Sequence, residues 1–193
     1  MSERNGKHVA FYIGSLKKGG AERVFVNLAR YFVSRGYRVT MVTQYEKENE
    51  YPLPEGAGRV LSDLTPAEEG NRVQNLFRRY KKLRRIFREL KADVVLSTIG
   101  KNNFMAILAN LFSKTRVIVS VVAEPTEEYP NALMRFLAKT LFYLADGIVM
   151  QTKDAVAFFQ PSLQKKCVIL KNSVNPAFLR PRYEGKRGQD IVA

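Results

Sequence analysis

The chain has 193 residues, 46% of them hydrophobic, which suffices for one domain with a full core and argues against intrinsic disorder. Lysine and arginine outnumber aspartate and glutamate by 32 to 18, and the formal charge of +14 favours an anionic partner: nucleic acid, anionic lipid or a phosphorylated substrate. One cysteine excludes a disulfide framework, and one histidine excludes a His-centred triad or a His/Cys metal cluster, so no metal site is expected.

Residues 1–7 carry no apolar signal core, and no stretch approaches the ~20 apolar residues that span a bilayer, which predicts a cytoplasmic location. The run His8-Val9-Ala10-Phe11-Tyr12-Ile13 reads as a buried strand with a structural His8 at its start. Val24, Phe25, Leu28, Ala29 and Phe32 then recur at helical spacing, Gly36 ends that helix, and residues 38–43 form a second strand. Between strand and helix stands Lys17-Lys18-Gly19-Gly20-Ala21-Glu22-Arg23. Two glycines there let the backbone approach a ligand, and the unpaired N–H groups of a helix start attract phosphate or carboxylate. The spacing is neither GxGxxG nor a Walker loop, so an ordinary tight turn also fits. Glu22 complements the dipole of the first helical turn.

Residues 45–70 are rich in Glu, Pro and Gly and read as a loop-rich crossover with a short strand at 59–61. A long amphipathic helix follows over 72–91, then a strand at 93–97, a helix over 103–112 and a strand at 116–122. A packed helix over 131–144, a strand at 147–151, a helix over 153–160 and a strand at 167–170, which holds a buried Cys167, complete the series. This alternation predicts an α/β fold: a Rossmann-like, doubly wound, mainly parallel sheet with helices on both faces and a ligand at the carboxyl ends of its strands. The loops after Ile13, Ser97, Val122 and Gln151 are therefore the candidate site.

The helix over 72–91 carries Arg72, Arg78, Arg79, Lys81, Lys82, Arg84, Arg85, Arg88 and Lys91 against the single acid Glu89. Its stripe of Val73, Leu76, Phe77, Tyr80, Leu83, Ile86, Phe87 and Leu90 is expected to dock on the sheet while the cationic faces meet anionic headgroups or lipid phosphate. The membrane-binding candidates are Arg78, Arg79, Lys81, Lys82, Arg84, Arg85 and Arg88. Nucleic acid competes for the same charge, but burial of Phe77, Tyr80 and Phe87 on the apolar stripe would keep them from stacking on bases.

Residues 176–193 read as a hinge, rich in Pro, Gly and basic residues, that ends in Asp190-Ile191-Val192-Ala193, the start of a further strand. The expected organisation is a Rossmann-like domain over 1–175 and, over 176–193, the hinge and opening of a second domain belonging to a larger protein.

Three segments, in order and covering nearly the whole chain, resemble the N-terminal half of the GT-B retaining glycosyltransferases of family 4 type. They are Gly19-Gly20-Ala21-Glu22-Arg23-Val24, then Ala145-Asp146-Gly147-Ile148-Val149 leading to Gln151-Thr152, and Val168-Ile169-Leu170-Lys171-Asn172-Ser173-Val174. The resemblance implies an acceptor-binding domain facing a C-terminal donor domain across a cleft. It implies hexosyl transfer without metal or other cofactor, from a UDP- or GDP-sugar to a lipid-linked or polysaccharide-precursor acceptor, by a protein peripheral to the inner face of the plasma membrane. It places Gly19 and Gly20 against the donor. Acceptor contacts are expected from Lys17, Lys18, Lys101, Asn102, Asn103 and Thr126, in and around the loops at 98–103 and 124–129. Relatives often carry a His or an Arg-Asn-Asp/Glu-Pro pattern after the fifth strand; here Ala123-Glu124-Pro125 keeps the acid and the proline, so Glu124 is the candidate catalytic base. The alternatives are a non-catalytic domain binding anionic membrane or nucleic acid, and half of a sugar-nucleotide epimerase.

Overall fold

The computed structural model describes residues 6–171. The hinge and second-domain opening expected at 176–193 lie outside these residues, as does the end of the third resembling segment. Seven strands form one sheet in the order β3-β2-β1-β4-β5-β6-β7, all parallel. They are β1 (His8–Ile13), β2 (Arg38–Thr43), β3 (Ala57–Leu61), β4 (Val94–Thr98), β5 (Arg116–Ser120), β6 (Gly147–Met150) and β7 (Cys167–Ile169). The strand order reverses between β1 and β4, the point at which an open α/β sheet leaves a crevice at its carboxyl edge.

Side chains alternate across β1 and separate two cores. Val9, Phe11 and Ile13 pack with Phe25, Val26 and Ala29 of α1 (Gly20–Ser34). Ala10 and Tyr12 join the larger core on the other face, with Leu83, Ile86 and Phe87 of α2 (Arg72–Leu90) and Phe104, Ala106 and Ile107 of α3 (Lys101–Ala109). That core continues through Tyr129, Phe142 and Phe159, with Tyr129 stacked on Phe104 at 5.5 Å. The later helices are short: α4 (Pro125–Glu128), α5 (Ala132–Leu141), α6 (Lys153–Ala157) and α7 (Pro161–Gln164).

The expected docking of the whole α2 stripe is corrected. Leu83, Ile86 and Phe87 are buried, but Val73, Leu76 and Phe77 are 78%, 62% and 56% exposed. The cause is length. Nineteen residues of α2 extend ~28 Å at 1.5 Å each, whereas strands of five or six residues span about 17–20 Å, so the first turns of α2 overhang the sheet. Phe77 is thus not withheld from solvent, and the Lys81 ammonium lies 4.4 Å from its ring centroid.

His8 serves the fold, as expected. Its Nδ1 is 3.0 Å from the Leu90 carbonyl and its Nε2 2.9 Å from Thr40 Oγ1, a geometry that suits the neutral ring: Nδ1–H donates and Nε2 accepts. Burial, reinforced by the nearby Arg38 charge, lowers its pKa below the usual 6.5. The unfolded chain therefore takes up a proton that the folded chain refuses, so stability present above about pH 6.5 declines as pH falls below it. Thermal unfolding followed by circular dichroism is expected to show Tm falling from about pH 6.5 to about pH 5, with a shallower fall in His8→Gln.

Candidate functional site

A cleft of about 970 Å3 opens at the carboxyl edge of the sheet, over the β1/β4 reversal. Every central strand contributes: Gly14 and Ser15 follow β1, Gln44 and Tyr45 follow β2, Ser62 and Asp63 follow β3, the 99–102 turn follows β4, and Val122 and Ala123 follow β5. Its floor is polar and internally bonded. Gln44 Nε2 donates to the Tyr12 hydroxyl at 3.1 Å and to Asn102 Oδ1 at 2.8 Å, and Asn102 Nδ2 donates to the Thr98 carbonyl at 3.3 Å. Burial raises the pKa of Tyr12, so it presents a neutral phenol. Arg79 Nε pairs with Asp63 Oδ1 at 2.9 Å in the wall.

The rear wall hangs on Glu128. Its Oε1 accepts from the Gly100 N–H at 2.7 Å and the Tyr129 hydroxyl at 3.2 Å; its Oε2 accepts from the Val122 and Ala123 N–H groups at 3.0 and 3.3 Å. One carboxylate thereby ties the loops after β4 and β5. Burial pushes the Tyr129 pKa up, and the Glu128 charge adds to the rise, which keeps that phenol a donor. Ile99 and Gly100, in the loop so held, have φ of 71° and 43°. Glycine adopts such angles freely, whereas a β-branched residue there is strained by roughly 1–2 kcal/mol.

A second tie holds the glycine loop. Glu50 Oε1 accepts from the Leu16 and Lys47 N–H groups at 3.1 and 2.9 Å, and Arg59 closes on its Oε2 at 2.6 Å. Burial opposes ionisation of Glu50, yet hydrogen bonds from Arg59 and these two N–H groups lower its pKa. Gly19 is the N-cap of α1, in extended backbone, and Gly20 opens the helix. A Cβ on Gly20 would meet nothing within 4 Å, so neither packing nor backbone angle within this chain demands a glycine there.

The expected site residues fall into separate groups. Lys101 and Asn102 line the cleft. Asn103 does not: it is fully buried, its Nδ2 donating to the Ser120 carbonyl at 2.9 Å and to the Tyr129 hydroxyl at 3.4 Å, because the turn of α3 carries it towards β5. Glu124 and Thr126 are exposed on or beside α4 but outside the cleft lining; Glu127 and Glu128 are the carboxylates of that segment that line it. Lys17 and Lys18 are exposed near the start of α1, outside the cleft lining. Among the α2 cations, Arg79 faces the cleft. Arg78 donates to the Glu68 carbonyl, Lys82 to the Asp63 carbonyl and the Glu68 carboxylate, and Arg84 to the Ala109 and Leu111 carbonyls. The Thr65 N–H and Lys82 hold the Glu68 carboxyl down at about 2. Asp63 and Glu68 lie in the crossover before α2, so the charge pattern of the helix alone does not reveal them. Lys81, Arg85 and Arg88 are exposed.

A parallel sheet reversing at β1/β4, a glycine-led helix start and a polar cleft above the reversal define a Rossmann-like half of the GT-B architecture. Residues 19–163 match the model of the glycosyl transferase 4-like domain, and the chain belongs to that family. A relative from Campylobacter jejuni, named GalNAc-alpha-(1->4)-GalNAc-alpha-(1->3)-diNAcBac-PP-undecaprenol alpha-1,4-N-acetyl-D-galactosaminyltransferase, is 27% identical over 153 residues, covering 78% of this chain and 42% of the relative. Sucrose-phosphate synthase from Thermosynechococcus elongatus superposes with a TM-score of 0.68 at 11% identity, over 91% of this chain and 50% of its own. Anabaena HepE, solved with UDP and glucose, gives 0.65 at 12% identity, over 88% and 45%. The chain thus spans half the length of these proteins or less. The family so matched is one of glycosyl transferases, not of epimerases or non-catalytic binding domains.

In urea denaturation, Glu128→Ala is expected to lose about 2–4 kcal/mol, because three loop N–H groups and a phenol lose a charged acceptor. Ile99→Gly is expected to stay within about 1 kcal/mol of the parent, as relief of strain offsets the lost side chain and added chain entropy. A larger loss in Ile99→Gly than in Glu128→Ala would contradict this account of the loop.

Proposed function

We propose that the chain is the acceptor-side half of a retaining glycosyltransferase that moves a sugar from a nucleotide-sugar to a lipid-linked or polysaccharide-precursor acceptor at the cytoplasmic face of a membrane. The observation that carries the reading is the cleft itself, polar on its floor and rimmed by exposed apolar side chains. Leu76 and Met134 line it, and Val73, Phe77, Leu133 and Phe136 stand exposed on the same two helices, α2 and α5. A rim of this kind suits a ligand whose polar head enters the cleft while its lipid stays at an interface. The relative's name, with its undecaprenol diphosphate acceptor, supports the acceptor class, and the UDP and glucose of HepE support the donor class.

Each part of the site has a task in this reading. The N–H groups at Gly19 and Gly20 meet the donor diphosphate as it departs, the interaction that grows most as charge develops. Lys101 and Asn102 bind hydroxyl or phosphate groups of the acceptor, and the exposed Glu127 carboxylate accepts from its hydroxyls. Lys81 and Arg85, free of ion pairs among the described residues, face anionic headgroups. No step is assigned to a metal ion.

The test is UDP or GDP release by the full-length enzyme from a panel of nucleotide-sugars, with a polyprenyl-diphosphate glycan in vesicles as acceptor. Release that requires the lipid-linked acceptor supports the reading; equal release without any acceptor overturns it. Gly20→Val provides the residue-level check. Its side chain enters open space at the helix start, so stability is expected to change by less than about 0.5 kcal/mol, while the KM for nucleotide-sugar rises at least about tenfold. An unchanged KM would remove the glycine loop from the donor site.

A further inference from the structure

At the opposite end of the sheet from the cleft, a groove of about 880 Å3 lies between the last turns of α2 and the turn linking α3 to β5. Lys7, Arg84, Arg88, Lys91, Lys114 and Arg116 line it. The only acid in the lining is Asp93, whose Oδ2 is engaged by the His8 N–H at 2.7 Å. None of the six cations forms an ion pair among the described residues. Arg88 and Lys91 complement the dipole at the end of α2 and Arg84 bonds carbonyls at the end of α3, which leaves Lys7, Lys114 and Arg116 without such an explanation. Like charges gathered in one concavity repel one another, so the free protein pays in stability for this arrangement.

Two details give the groove the character of a built site. Arg84 is fixed in place, one terminal nitrogen donating to the Ala109 and Leu111 carbonyls at 3.3 and 3.0 Å, which orients the rest of its planar fork. The adjoining turn is tied as well: the Ser113 N–H donates to the Asn110 carbonyl at 3.0 Å, and Ser113 Oγ accepts from the Thr115 N–H at 3.2 Å. That turn holds Phe112 at φ 62° and 98% exposed, beside Lys114. Neither packing nor backbone preference within the chain accounts for a bulky aromatic in this conformation and exposure.

We propose that this groove is a second anion site, which takes a phosphate ester or diphosphate group between Arg84, Arg88, Lys91, Lys114 and Arg116. Several cations converging on one concave volume match a compact, doubly charged group, and arginine forks match phosphate oxygens. No groove residue lines the cleft, so the site stands whatever the cleft transfers. The phosphate can come from a soluble molecule or from a lipid headgroup, with Phe112 entering the acyl boundary in the second case.

The test uses the 193-residue chain. Inorganic pyrophosphate is titrated by calorimetry, and binding to vesicles of phosphatidic acid in phosphatidylcholine is compared with binding to phosphatidylcholine alone. Arg88→Glu/Lys114→Glu alters the groove; Arg30→Glu/Lys153→Glu makes the same charge change at exposed positions on α1 and α6, outside the groove, the cleft and α2. Saturable binding to at least one probe is expected, weakened at least about tenfold by the groove pair and less than about twofold by the control pair. Lys114→Gln, a change at one exposed loop residue, is expected to weaken it about threefold, and it keeps the test valid should the double variant unfold. Pyrophosphate binding without vesicle binding assigns a soluble ligand. Binding to the acidic vesicles that Phe112→Ser weakens assigns a headgroup. Absence of saturation with both probes, or equal loss in the two charge-reversal pairs, overturns the proposal.

Discussion

Seven parallel strands in one sheet impose a single constraint from which the site follows: every chain reversal must cross a face, and every crossover starts from the same edge. The loops after β1, β2, β3, β4 and β5 therefore meet at the carboxyl ends, and the reversal between β1 and β4 spreads them enough to leave a cleft. Loops gathered in this way have few backbone partners of their own. Side-chain carboxylates supply them. Glu50 caps N–H groups in the glycine loop and the loop after β2, and Glu128 caps those after β4 and β5. Both hold loops in place for a ligand without themselves needing to touch it.

The charge of the chain is divided by the same architecture. Much of the basic face of α2 is spent internally, on Asp63, Glu68 and backbone carbonyls, and holds the crossover after β3 against the helix. Two sets of cations without ion pairs among the described residues are separated in space, Lys81 and Arg85 on α2 and the groove cations at the far edge of the sheet. Net charge therefore measures neither partner strength nor partner number. The placement of acids contributed by neighbouring elements decides which cations are left to bind anything else.

The sheet was legible in the sequence because buried parallel strands are short apolar runs and α1 and α2 are long enough to show helical periodicity. All seven strands were placed, including β3 on two apolar residues, Val60 and Leu61. The four-residue helices α4 and α7 were not, since one turn beginning at Pro125 or Pro161 shows no period. In the cleft, Lys101 and Asn102 were legible from their loop, whereas Asn103 was misplaced by a boundary set two residues late for α3. Gln44 with Asn102, Arg79 with Asp63 and Glu128 with Gly100 join segments distant in sequence. No local pattern announces such pairs, because each depends on the sheet having formed.

The overhang of α2 separates two kinds of design freedom that usually conflict. Its last turns are interleaved with the core, where a change of volume is felt throughout the domain. Its first turns are held by polar contacts to the preceding crossover and not by core packing, so substitutions at Val73 or Phe77 fall among exposed positions that usually alter stability by less than about 0.5 kcal/mol. The rim of the cleft can therefore drift in sequence without endangering the fold that carries it. A single helix thus joins a segment under strict packing selection to one open to adaptation, and new ligands can be explored at one end while the other keeps the domain folded.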